Sequence, residues 1–166
     1  NRDSAIITAM VFVAAVAIFN ARFFYHFYGE FNRRPDVYHM LHTDLVEACQ
    51  WLRPRLGDFD AVYFTASNYN MPYVITTVAL GYDPKKWFSE PLDVNTPGEW
   101  DIYTRYGKLY FLYDNSVLLL IKERQKDGRA LLIMRPGELN LDNPQQQIIH
   151  RIIRPDGEAV LLICQL

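Results

Sequence analysis

Hydrophobic and polar positions along this chain fall into three successive patterns. Residues 5–19 (AIITAMVFVAAVAIF) carry no charge, and the run passes through Asn20, Ala21 and Arg22 into the aromatic cluster Phe23-Phe24-Tyr25-His26-Phe27-Tyr28. A helix apolar on every side has no face for water and needs lipid or a protein groove. The uncharged run alone reaches about 22 Å of a hydrocarbon core roughly 30 Å thick; the aromatic flank extends it to a span and would sit as an interfacial belt. A buried core helix is the alternative that length allows. A secretory signal would have a basic start and a cleaved small-residue site, whereas this run is retained in the chain. The membrane-spanning reading is preferred. Arg22, Arg33 and Arg34 follow the run while only Arg2 precedes it; taken alone the positive-inside rule would place the C-terminal side in the cytoplasm, but the rule is statistical and the upstream flank is not in the sequence, so it does not fix the orientation.

The second pattern has a period of three and four. Val37, Leu41, Leu45, Ala48, Leu52 and Leu56 form one core-facing stripe, which predicts a helix from Pro35 to about Arg53, weakened at its end by Pro54.

The third pattern alternates short apolar runs with turn residues, and residues 60–88 are its hub. Residues 61–66 read as a buried strand, Ser67 to Asn70 as a polar turn, and residues 71–80 as a short apolar helix with Pro72 in its first turn. Gly81 and Asp83-Pro84 stop that helix. Residues 89–99 read as a Pro-rich acidic loop, and residues 103–113 contain a second strand. Asp114, Asn115 and Ser116 can cap a helix over residues 117–126 that ends at Asp127-Gly128. Residues 130–134 are a third strand stopped by Pro136-Gly137. Residues 147–154 and 158–166 read as a hairpin around Pro155-Asp156-Gly157. The alternation predicts an α/β fold: a mostly parallel sheet with flanking helices and a C-terminal β-hairpin, preceded by a hydrophobic N-terminal helix. Two parts are expected, residues 1–28 as hydrophobic helix and aromatic belt, and residues 29–166 as the α/β domain.

Composition narrows the function classes. In 166 residues with a net charge of −2 and a pI near 6.1, no Lys/Arg run supplies the basic face that nucleic acid requires, so no nucleic-acid partner is expected. Eleven Tyr, ten Phe and three Trp favour sites with one apolar and one wet side, such as membrane interfaces and binding clefts. Cys49 and Cys164 lack the spacing of a zinc site and are expected as buried free thiols, with their pairing left open. The chain opens on Asn1 rather than Met, and a fragment or processed product is expected.

The turn at residues 67–70 follows a strand's carboxyl end and opens a helix, where open α/β sheets place ligands and free N–H groups attract anions. A phosphate or sugar hydroxyl could bind there, with Asn68, Tyr69, Asn70 and Tyr73 as the candidate contacts. It has no Gly-rich cradle and no Lys, and helix capping alone explains its polar residues. Asp36, His39 and His42 recur at intervals of three on one predicted helical flank; His39 and His42 are the candidates for a metal, but no further ligand accompanies them, so neither metal nor cofactor is expected. His26 and His150 have no recognisable partner. There is no GxSxG elbow, neither Cys has a His in a nucleophile signature, and the acidic residues are scattered. Catalysis is not supported by the chain's own residues.

The sequence FFYHFYGEFNRRP, then an amphipathic helix, then DFDAVYFT and NMPYVITTVALGYDPKKWF, resembles the C-terminal end of polytopic GT-C glycosyltransferases, among them the protein O-mannosyltransferases and aminoarabinose transferases. The residues that carry the likeness are Phe24, Tyr25, Tyr28, Val62, Tyr63, Pro72, Tyr73, Gly81, Tyr82, Asp83 and Pro84. RPGEL and RPDGEAVLLI look like closing strands of the same domain. Phe27-Tyr28-Gly29 stands where that class often has a Tyr-Pro pair. The resemblance implies a last membrane helix with a non-catalytic extracytoplasmic domain, in an enzyme using a polyprenyl-phosphate-linked sugar whose catalytic acidic loop lies elsewhere. It also implies as partners the rest of the polytopic protein, the lipid bilayer, and the lipid-linked sugar or a glycan acceptor. The other readings are a membrane-anchored saccharide- or peptide-binding module and, more remotely, a small hydrolase.

Overall fold

In a computed structural model, which describes residues 2–95, 101–113, 128–138 and 147–165 apart from the side chains of Asn32 and Trp87, the initial apolar run is helix α1 (Arg2–Phe24). The chain divides into two units, Asn1–Leu41 and His42–Leu166.

In the first unit no residue of α1 is buried. Two of its polar side chains bond back within the helix, Thr8 Oγ1 to Ser4 O and Asn20 Nδ2 to Val16 O, both at 2.8 Å, so each meets one hydrogen bond without water. The helix runs on into a π-helical turn (Tyr25–Glu30), and the 29 residues Arg2–Glu30 are long and apolar enough to cross a membrane. Phe23 stacks on Phe27 and Phe27 on Phe31, each with ring centroids 5.6 Å apart, and Phe24 stacks on Tyr28 at 5.9 Å. His26 Nδ1 meets Glu30 Oε2 at 2.5 Å. A 3-10 turn (Phe31–Arg33) and an Arg34–Asp36 ion pair of 2.9 Å lead into α2 (Pro35–Met40).

The second unit is built on a seven-stranded sheet. Its strands are β1 (Ala61–Thr65), β2 (Leu92–Asn95), β3 (Ile102–Tyr106), β4 (Leu109–Leu112), β5 (Ala130–Met134), β6 (Gln147–Ile153) and β7 (Ala159–Gln165), in the order β2-β3-β4-β1-β5-β7-β6. Side chains alternate between the two faces of a strand. Val62 and Phe64, Leu131 and Ile133, and Leu161 and Ile163 therefore share one face, where they form the main core with Leu45, Ala48, Cys49 and Leu52 of α3 (Thr43–Leu52) and Leu80 of α4 (Pro72–Leu80). The intervening Tyr63, Leu132, Met134, Leu162 and Cys164 form a second apolar cluster. Cys49 and Cys164 are both buried free thiols, one in each cluster. Asp60 and Lys108 tie the sheet's amino end: Asp60 Oδ2 accepts from Arg129 N at 2.9 Å, and Lys108 Nζ donates to the carbonyls of Leu56 and Phe59.

The α/β class, the apolar N-terminal helix and the C-terminal hairpin stand as expected, but the sheet is mixed and mostly antiparallel rather than mostly parallel. Only β4, β1 and β5 run parallel to their neighbours; β2-β3-β4 and β5-β7-β6 are antiparallel. The cause on one side is Gly107. Its φ of +58° belongs to a two-residue turn with Lys108, which folds residues 102–106 back as β3, an antiparallel partner for the expected second strand, seen as β4. The expected loop at residues 89–99 contains β2, a mostly exposed strand whose hydrogen bonds come from the edge of β3. The expected continuous helix from Pro35 is also interrupted: α2 stops at Met40 and His42, at φ +52°, restarts the helix by accepting Leu45 N and Val46 N on its carbonyl. Asp36, His39 and His42 thus do not line one helical flank. The expected helix over residues 117–126 lies outside the described residues.

Candidate functional site

β1 and β5 are parallel partners, with Phe64 opposite Ile133, so the residues that follow them emerge together at the carboxyl edge. After β1 come Ala66, Ser67, Asn68 and Tyr69; after β5 comes Arg135. Open α/β sheets use this edge for ligands.

Tyr69 is the centre of what assembles there. Its hydroxyl donates to Asp44 Oδ2 at 2.7 Å, and Asp44 Oδ1 accepts Leu45 N at 2.8 Å. Asp44 is only 3% exposed, in the first turn of α3. The Arg135 guanidinium lies over the Tyr69 ring, its carbon 4.9 Å from the centroid, and the His42 ring meets the same phenol edge-on at 5.3 Å. Glu138 Oε2 accepts Arg135 N at 3.1 Å and holds the backbone at the base of that side chain. Burial pushes the Tyr69 hydroxyl well above its ordinary range; the Asp44 carboxylate and its hydrogen bond push the same way, and Arg135 opposes them. A phenol so held keeps its proton at neutral pH. It donates to Asp44 and braces the turn after β1 against α3. Arg135 Nη2 is buried without a hydrogen-bond partner among the described residues.

Asn68 and Asn70 are exposed, and their side chains bond nothing among the described residues. They do not cap α4. Met71, at φ +50°, occupies the cap position, and its side chain makes no capping hydrogen bond. Ser67 Oγ reaches Tyr113 O at a long 3.5 Å. Tyr73 turns to the sheet, its ring 4.6 Å from that of Tyr103 and 6.4 Å from that of Phe111. Asn68, Tyr69 and Asn70 therefore share the edge with Asp44 and Arg135, while Tyr73 packs against β3 and β4. Asp44 and Arg135 were not among the sequence candidates. Asp44 did carry a signal: it falls four residues before Ala48 on the apolar stripe, where a carboxylate is out of place. Arg135 stands between a buried strand and Pro136-Gly137, in the same kind of position as Ser67 after β1.

At the opposite, amino end of the parallel strands lies a cavity of about 320 Å³ lined by Asp60, Tyr63, Tyr110 and Arg129 among others. Tyr63 and Tyr110 stack there with centroids 4.9 Å apart. Among the described residues no group of three or more His, Cys, Asp or Glu could hold a metal ion.

No protein-family model, curated protein or solved structure matches the chain.

Proposed function

We propose that this chain is the last membrane helix and non-catalytic extracytoplasmic domain of a membrane glycosyltransferase that takes its sugar from a polyprenyl-phosphate carrier. The observation that carries the reading is α1 with its π-helical extension. It is an apolar helix of 29 residues with no buried side chain in α1, two polar side chains bonded back within it, and an aromatic ladder where it ends. At 1.5 Å per residue it reaches about 43 Å, more than a hydrocarbon core needs. The sequence resemblance supplies the enzyme class, and the Tyr69 cluster suits a supporting role because its phenol is buried and braced by Asp44 and Arg135.

Two measurements test it. A cysteine replacing Asp156, in the exposed turn between β6 and β7, should react with a membrane-impermeant maleimide on intact cells; reaction only after lysis refutes the extracytoplasmic placement. Membranes from cells carrying the whole gene should transfer sugar from a labelled polyprenyl-phosphate donor, and deleting residues 42–166 should lower transfer to the acceptor. A gene with a single membrane span, or membranes with no transfer, refutes the enzyme class.

The second reading, a membrane-anchored saccharide- or peptide-binding module, is favoured by Asn68, Asn70 and Arg135 Nη2, buried without a hydrogen-bond partner among the described residues, at one sheet edge. Saccharide or peptide binding that survives Asn68→Ala with Asn70→Ala and Arg135→Ala would remove this support.

A further inference from the structure

Helix α4 is apolar on every side. Its sequence PYVITTVAL has no charged residue, Thr76 is buried, and the Thr77 hydroxyl donates to Tyr73 O at 2.8 Å inside the helix. Such a helix is normally enclosed. Yet Met71, Val74 and Val78, spaced by three and four on one face, are exposed, Val78 at 75%. Beyond Gly81 the 3-10 turn Pro84–Phe88 adds Phe88, 92% exposed, next to two exposed lysines. Lys86 pairs with Glu90 at 3.7 Å, and the Asp83 carboxylate accepts Lys85 N at 2.9 Å while keeping its charge; the Lys85 side chain is in no ion pair among the described residues.

We infer that the outer face of α4 and Phe88 are lipid-docking contacts, through which the α/β domain rests on the head-group boundary of the bilayer. The inference rests on the reading of α1 as a membrane span. Three arguments select lipid as the occupant. The side chains of Met71, Val74, Val78 and Phe88 present no hydrogen-bonding group for a partner to match, and the acyl boundary asks for none. Four side chains are far fewer than the roughly 20–30 residues a side that a stable protein interface uses, whereas a domain tethered to the membrane is at high effective concentration there, so a small contact suffices. Lysine beside exposed aromatic and aliphatic side chains is the chemistry that anionic head groups over acyl chains attract.

The test uses the full chain in phosphatidylcholine–phosphatidylglycerol vesicles, with single cysteines at Val78, Phe88, Val11 and Arg151 carrying an environment-sensitive fluorophore; buried Cys49 and Cys164 should not compete for label. Quenching by doxyl-labelled lipid should be strong at position 11, clear at 78 and 88, and minimal at 151. Lys85→Glu should weaken quenching at 78 and 88 in these vesicles but not in pure phosphatidylcholine. If position 11 is quenched while 78 and 88 behave like 151, lipid docking is wrong and the membrane span stands. If position 11 is also unquenched, the span itself fails. Shielding of 78 from aqueous iodide without lipid quenching would mean that a protein covers the face, which also overturns the inference.

Discussion

Tyr69 donates its hydroxyl proton to Asp44 across 2.7 Å and 25 residues of chain, joining the turn after β1 to the first turn of α3. Both residues are buried, so neither can exchange the bond for one with water. Tyr69→Phe would keep the packed ring and leave Asp44 Oδ2 without its donor. An unmet buried acceptor costs about 1–3 kcal/mol. The urea midpoint of the chain in detergent micelles should fall accordingly, whereas Asn68→Ala, which removes an exposed side chain, should leave it within experimental error.

Alkaline pH should destabilise the fold through groups that burial keeps protonated. Burial pushes the Cys49 thiol from its ordinary 9.0 up to about 12, with the neighbouring Thr76 hydroxyl acting in the other direction. Tyr82 and Tyr113 are pushed from 10.0 to about 12, again first by burial. These are raised folded-state values, so the stability they contribute is complete below the unfolded values. Above pH 9 the unfolded thiol has lost its proton while the folded one keeps it, and stability falls until about pH 12, by roughly 1 kcal/mol per pH unit for Cys49 alone. Urea midpoints measured from pH 8 to 11 should therefore decline, and Cys49→Ala should make the decline shallower. An unchanged slope would mean that the thiol ionises within the fold.

Gly81 ends α4 in the left-handed region at φ +67°, with Gly81 N bonded to Val78 O and Tyr82 N to Thr77 O, both at 3.0 Å. A β-carbon there would stand 2.8 Å from Arg53 Nη2, the mobile end of an exposed side chain that can move aside. Backbone strain is then the main cost of Gly81→Ala, on the order of 1 kcal/mol. Gly57→Ala, where a β-carbon meets nothing within 4 Å, is the matched control and should be near neutral. Thermal unfolding of the pair separates the two effects.

What was legible in the sequence follows from how local each determinant is. β1, β5 and α4 are short apolar runs bounded by their own Gly, Pro and Asn residues, so they could be read in place, as could the Gly81 stop. Strand direction is not local. The second strand stands where it was read, as β4, but that Gly107 turns residues 102–106 back against it as β3 depends on pairing, which the apolar pattern alone does not give. β2 was hidden because an exposed edge strand needs only the hydrogen bonds of its neighbour, not an apolar alternation. The candidate site was half visible for the same reason. Asn68, Tyr69 and Asn70 are contiguous, but Asp44 and Arg135 reach Tyr69 only through the packing of α3 and the parallel pairing of β5 with β1.

Lys108 carries the last prediction. It follows Gly107 in the turn that leads into β4; its carbonyl accepts Val62 N at 2.9 Å, and its ammonium donates to Phe59 O at 2.9 Å and to Leu56 O. One side chain thus supplies donors to carbonyls at the end of the 3-10 turn Arg53–Asp58 and just before β1, where no helix or ladder bond can meet them. Lys108→Met keeps most of the aliphatic stem and removes the donors. Because the site is half-buried, water can replace part of what is lost, which places the cost near the lower end of about 1–3 kcal/mol. Arginine, with its donors in a planar fork, should restore only part of it. Hydrogen exchange distinguishes this local effect from general weakening. In Lys108→Met the amides of Val62 and Phe64 should lose protection more than those of Ile163 in β7; equal loss in both strands would show that the lysine does not act by anchoring the approach to β1.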